Sequence, residues 1–318
     1  MTRLVRNSVI LAKPEGTYGV DPTVDAGTDA LLVSNLTINP INAQNVDREL
    51  LRAYMGASEQ LVGTRVAEIS FDIELAGSGT AGNATAWGKL LEACGYDETD
   101  AGAYITYFPL TTGLSSLWIE AYDSGTKHII SGSRGSFEIM AGQGERPVVR
   151  FSFIGLYTTP SASAVPSATL TAFQKPLVIT NANSGDVTLG VTYSAGANSG
   201  GTAYPSRGLQ INSGNNVVHT PLLGGEEVDI TDRQVTGTVE FDLTASQEAS
   251  FMAVVEANST QTLGFTHGTT GGGIVLLYAP AVQLLNPKKV DYNGRRLIGF
   301  DLRFLPSAGN DELTIVTK

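Results

Sequence analysis

Residues 77–82 read GSGTAG and fit the pattern G-x-G-x-x-G. The segment follows an alternating run and precedes an amphipathic stretch, and Asp97 lies 97 − 77 = 20 residues on. In a dinucleotide-binding turn such glycines let the backbone approach a pyrophosphate, and the acidic residue takes the ribose hydroxyls. The surroundings do not support that chemistry. A parallel strand of that fold is buried on both faces and apolar throughout, whereas the run before GSGTAG carries Glu68, Asp72 and Glu74. The βαβ alternation that should follow is missing, so a flexible strand-to-helix connection accounts for these glycines. Other reactive residues are scattered. His128, His219 and His267 stand apart, and no G-x-S-x-G elbow is present. His267, in FTHGTTGGG, reads as a polar loop residue, and Asp97, Glu98 and Asp100 as a solvated acidic loop. No carboxylate pair is marked out for acid–base work. One cysteine, Cys94, gives neither an internal disulfide nor a zinc cluster. The chain reads as a non-enzyme with no catalytic, cofactor or metal site.

A length of 318 residues suits two domains, each long enough to bury its own core. Charged residues are 16% of the chain, below the typical ~25%. The 36 glycines, with many Ser and Thr, point to β structure rich in turns, because Gly costs about 1 kcal/mol in a helix interior. A net charge of −11 argues against a nucleic-acid-binding surface. The N-terminal stretch MTRLVRNSVILAKPEG has too short an apolar run for a signal peptide. The longest apolar run, IVLLYAPAV at 274–282, is far below the ~20 residues that span a bilayer. A soluble acidic protein made in the cytosol is expected.

The chain says nearly the same thing twice. ISFDIEL at 69–75 and VEFDLTA at 239–245 are 239 − 69 = 170 residues apart. Around them runs a common order: LTIN at 36–39 or LQIN at 209–212, then a polar segment at 48–65 or 219–233. The repeated run follows, then a helix candidate, ATAWGKLLEAC at 84–94 or SQEASFMAVVEA at 246–257. A strand comes next, LWIEAY at 117–122 or IVLLYA at 274–279, and last GERPVVRFSFIGLY at 144–157 or NGRRLIGFDLRFL at 293–305. Five elements in one order indicate an internal duplication. Between the copies, TTPSASAVPSATLTAF at 158–173 has linker composition. The expected division is 1–160, a linker at 161–175, and 176–318, with an N-terminal arm at 1–35 and an insertion-like segment at 181–206.

Glu68, Ser70, Asp72 and Glu74 alternate with Ile69, Phe71, Ile73 and Leu75, the period of a half-buried antiparallel strand. Trp87, Leu90, Leu91 and Cys94 share a helical stripe that Gly95 can end. Thr244 and Gln247 have capping-box spacing ahead of Phe251, Val254 and Val255. The expected fold is mainly β: two tandem β-sandwich or small-barrel domains, each with one short flanking helix.

Several stretches resemble the major tail proteins, or tail tube proteins, of long-tailed non-contractile bacteriophages. They are ILAKPEGTYGVDPT at 10–23, NVDRELLRAYMGASEQL at 45–61, ELAGSGTAGNATAWGKLLEACGY at 74–96, APAVQLLNPK at 279–288 and PSAGNDELTIVTK at 306–318. The likeness is nearest to Mu-like transposable phages of Pseudomonas. It implies a structural virion protein, made in the host cytoplasm, that self-associates into stacked rings forming the hollow tail tube. Expected partners are the tape measure protein and the tail terminator and tail tip proteins. Double-stranded DNA would pass through on ejection without specific binding, and no membrane is involved. A two-domain member is expected to fill two of six places, giving trimeric rings with pseudo-sixfold symmetry. A secreted or surface Ig-like, adhesin-type binding module is the alternative.

Assembly of this kind needs sheet edges and arms as adhesive surfaces. Leu50, Leu51, Tyr54 and Met55 are the candidate inter-ring contacts. A passive DNA conduit should present acidic or neutral side chains inward, and Glu68, Asp72, Glu74, Glu240 and Asp242 are the candidates for the lumen. Both halves are acidic, with 11 basic against 18 acidic residues in 1–160 and 9 against 13 in 161–318.

Overall fold

The alternating runs become long antiparallel strands. The computed structural model describes residues 3–318, mainly β with two short helices. In the first half, Ser34–Val46 pairs with Leu61–Glu74, which pairs with Val148–Tyr157, which pairs with the C-terminal part of Thr126–Gly142. In the second half, Ser206–Asn212 pairs with Thr236–Phe241, then Arg295–Phe304, then the C-terminal part of Val275–Tyr292. Each sheet buries its apolar side. Phe71 packs near Phe151 at 6.2 Å between ring centroids, and Phe241 near Phe300 at 6.3 Å. Each such ring contributes about 2–3 kcal/mol of burial.

A second layer covers those apolar sides. Ser8–Pro14 pairs with Leu117–Asp123 and carries Ala30–Leu31 on its far edge; Val187–Leu189 pairs with Thr260–His267 and carries Thr202–Tyr204. Both long strands enter this layer at their N-terminal ends, where Ser161–Ala162 or Thr314–Thr317 pairs with them. Residues 8–31 are therefore built into the first half, with Ile10 and Ala12 fully buried. Residues 187–204 take the corresponding place in the second half. Two hairpins are unmatched: Thr192–Ser194 with Ala197–Ser199 in the second half, and Tyr96–Asp100 with Ile105–Pro109 in the first, which pairs across to Thr314–Thr317 of the second half.

Strand register refines the repeat. Asn42 opposes Val66 and Asn212 opposes Thr236, so both partners shift by 212 − 42 = 236 − 66 = 170. The matching segments are therefore INAQN at 41–45 and INSGN at 211–215, not LTIN and LQIN. LWIEAY also changes partner. It precedes and pairs with the long strand of its half, so its counterpart is Thr260–His267, and IVLLYA instead opens the long strand.

The first helix is Gly88–Glu92, shorter than 84–94, because the Trp87 indole donates to the Ala76 carbonyl at 2.9 Å and fixes a turn there. Gly95, at φ +79°, ends it. The second is Ala245–Glu256, with the Thr244–Gln247 capping box formed and Phe251 as its buried anchor. The segment at 161–175 is no free tether. Val165, Ala168 and Leu170 pack on Leu11, Ala30 and Tyr122, and the Thr169 amide donates to the Ala26 carbonyl at 3.0 Å.

Candidate assembly surfaces

The two four-strand sets fuse edge to edge. Thr126–Gly142 pairs with Ser206–Asn212, placing Ile139 opposite Ile211 and Ala141 opposite Leu209. The last strand of one copy thus joins the first strand of the next in an eight-strand run. Its two outer strands, Ser34–Val46 and the 284–292 part of Val275–Tyr292, each have a strand on one side only among the described residues. They are the same two edges that meet at the internal seam. Sequence patterning could mark these as strands but not as edges, because an edge is defined by what is missing beside it.

The five acidic candidates lie on the strands of this run and its rim. Glu68 accepts from Asn39 at 3.2 Å and Asn42 at 2.7 Å. Asp72 is buried, accepting from Asn35 at 2.7 Å and Arg150 Nε at 2.9 Å. The hydrogen bond to Asp72 raises the Arg150 pKa further. Glu74 pairs with Arg146 at 2.8 Å, Glu240 with Arg207 at 3.2 Å, and Asp242 with Arg295. Four of these five carboxylates are paired with arginines and the fifth, Glu68, is held by asparagine amides, so none is bare. The cations come from neighbouring strands and hairpin turns, which alternation along a single strand cannot reveal.

Leu50, Leu51, Tyr54 and Met55 sit at the tip of the hairpin at 40–66, with Leu51 at 104% and Met55 at 103% exposure. Ile41, Val46, Leu61 and Val62 of its stem are also exposed, so among the described residues eight of the 17 exposed large apolar side chains fall within 41–62. That area is far beyond isolated surface leucines, and a lone hairpin is marginal in water.

The second half has a hairpin at the same place, Asn215–Leu222 with Gly225–Arg233, but it folds down onto the first half. Gly214, at φ +60°, makes the bend, and a Cβ there would lie 2.0 Å from the Gln234 carbonyl. Ser213 is fully buried and its hydroxyl accepts from the Phe137 amide at 3.0 Å. Arg134 donates to the Val228 carbonyl at 2.6 Å, pairs with Asp229 and Glu227, and faces the Tyr18 ring at 5.3 Å. The Tyr18 hydroxyl accepts from the Val228 amide at 2.7 Å.

GSGTAG docks backbone to backbone on the second half. The Gly79 amide donates to the Gly272 carbonyl at 2.8 Å, and a Cβ at Gly77 would fall 2.2 Å from that oxygen. His267 is not a loop residue. It ends a buried strand, its Nδ1 lies 2.8 Å from the Ser184 hydroxyl, and burial lowers its pKa. Cys94 is fully buried, and burial raises its thiol pKa. Asp97, Glu98 and Asp100 lie on the exposed strand of the Tyr96–Pro109 hairpin. Among the described residues, no cluster of His, Cys, Asp or Glu could hold a metal, and no helix is long and apolar enough to cross a membrane.

A family model described as phage tail tube protein matches residues 6–303. No curated protein matches the chain. With nearly its whole length matched, an antiparallel β architecture and exposed strand edges, the chain belongs to the phage tail tube protein family, structural components of the virion tail.

Proposed function

We propose that three chains close a ring with pseudo-sixfold symmetry, and that stacked rings form a conduit for genome ejection. The observation that carries this reading is the internal seam. Its two edges recur, unpaired, at the ends of the eight-strand run. A head-to-tail joint whose rotation closes yields a ring, and each chain supplies two of six repeats. The two halves, near 1–160 and 176–318, act as the repeating domains.

The surface that carries the five carboxylates would line the bore around the tape measure protein, and later the DNA. Free guanidinium groups bind phosphate with steep salt dependence. Here Arg146, Arg150, Arg207 and Arg295 are each engaged by a carboxylate, which suits a wall that DNA slides along. The tip side chains Leu50, Leu51, Tyr54 and Met55 would bury against the next ring, and the ends of the tube would meet the terminator and tip proteins. The likeness to Mu-like Pseudomonas phages stays part of this proposal. Negative-stain microscopy of the purified protein tests it: tubes or rings support the reading, and monomers at every concentration and salt defeat it.

A further inference from the structure

We infer that the stem of the hairpin at 40–66 clasps the second half of a neighbouring chain in the same ring, with Asn45 as its polar anchor. The inference rests on the ring reading and names the surface that receives this hairpin. Its template is a contact the chain makes with itself. Asn215 donates to the Cys94 carbonyl at 2.7 Å and to the Gly135 carbonyl at 2.8 Å. Cys94 precedes the left-handed Gly95 that ends the first helix, and Gly135 lies in the long strand beside the seam. One amide therefore ties the second hairpin to both a helix end and a strand of the preceding repeat.

Position 45 carries the same residue at the same place, since INAQN and INSGN coincide at the offset of 215 − 45 = 170. Yet Asn45 is exposed. Its counterpart partner in the second half is Ala257, which precedes the left-handed Asn258, φ +54°, at the end of Ala245–Glu256. The last carbonyls of a helix have no intrahelical donor, and Ala257 is exposed too. Direction follows from the seam. The second hairpin springs from the strand that joins the preceding repeat, and it leans onto that repeat. The first springs from Ser34–Val46, the equivalent edge, so it leans onto the chain that supplies the edge at 284–292. The stem that carries Asn45 also exposes Val46, Leu61 and Val62.

The test uses full-length protein carrying Asn45→Cys and Ala257→Cys, assembled and then treated with a short bis-maleimide; buried Cys94 is protected. A denaturing gel should show linked chains ending at three. Asn45→Ala should raise the concentration needed for tube growth about tenfold, the loss of roughly one to two hydrogen bonds, with monomer melting unchanged. Asn215→Ala should lower monomer melting. Tubes without linked chains, a ladder running past three, or Asn45→Ala assembling at the wild-type concentration would each overturn the inference and leave the ring reading standing. A wild-type protein that never forms rings or tubes removes the ring reading, and the inference with it.

Discussion

Two hairpins occupy the same place in the two repeats and behave differently. The one at 40–66 stands out from its sheet with apolar side chains in solvent. The one at 215–233 lies on the first half, with Val228 buried and Arg134 beneath it. They diverge where Ala43-Gln44 faces Ser213-Gly214. Gly214 adopts a left-handed conformation and Ser213 fills a buried polar niche, so the chain bends. Neither Ala43 nor Gln44 takes a positive φ. The same element thus holds the chain together in one repeat and stands exposed in the other.

The largest effect should come from removing the bend. Gly214→Val places a side chain against the Gln234 carbonyl at a strained φ, a cost of about 3 kcal/mol. It should free the second hairpin, read as a lowered melting temperature and new protease sensitivity near 215–233. Gln44→Gly at the counterpart position should leave monomer melting nearly unchanged. If both variants melt alike, the hairpins do not differ in the way described.

Arg134→Leu comes next. It deprives the Val228 carbonyl of its donor and leaves Asp229 and Glu227 without their cation, about 2 kcal/mol in a partly buried site. Chemical denaturation should show a lowered midpoint with an unchanged slope. A wild-type midpoint would mean that the hairpin is held by its apolar contacts alone.

A smaller effect is pH-dependent. Burial holds the His267 pKa below its ordinary 6.5. Between the two values the unfolded chain binds a proton that the folded chain does not, so stability falls as pH drops below about 6.5. His128 shifts in the same direction and adds to the slope. His267→Gln should flatten the dependence of melting temperature on pH between 7 and 5. An unaltered slope would remove His267 as a cause.

The smallest effect on the isolated chain belongs to the exposed tip. Replacing Leu50, Leu51 and Tyr54 by Ser should shift monomer stability by about 0.5 kcal/mol or less while abolishing polymerisation, as sedimentation would report. Joint loss of folded signal and assembly would place these side chains in the monomer's own core. Glu68→Lys with Glu240→Lys probes the proposal that this face lines the bore, since Glu68 holds Asn42 and Glu240 pairs with Arg207 on it. Asp72 is unsuitable because a lysine there would be buried beside Arg150. Slowed ejection, most marked at low salt, is expected; wild-type ejection kinetics would place these residues elsewhere.

Much of the fold was legible because alternation is a local property. ISFDIEL and VEFDLTA, the capping box at Thr244 and the stop at Gly95 all turn on neighbours in sequence. What escaped detection depended on distant partners. The cations opposite Glu74 and Asp72 come from 72 and 78 residues away. His267 is buried by a segment 83 residues upstream. The first helix lost its first turn to a tertiary hydrogen bond from Trp87. The offset of 170 was in plain sight in INAQN and INSGN, but LTIN and LQIN look equally alike, and only strand register chooses between them.

The most direct test of the central claim is the subunit count per ring in cryo-electron micrographs of the assembled tube. The seam and its two unpaired edges predict three chains per ring, six similar repeats, and Ser34–Val46 of one chain beside the 284–292 edge of the next. Six chains per ring, or rings in which those two edges stay unpaired, would contradict it.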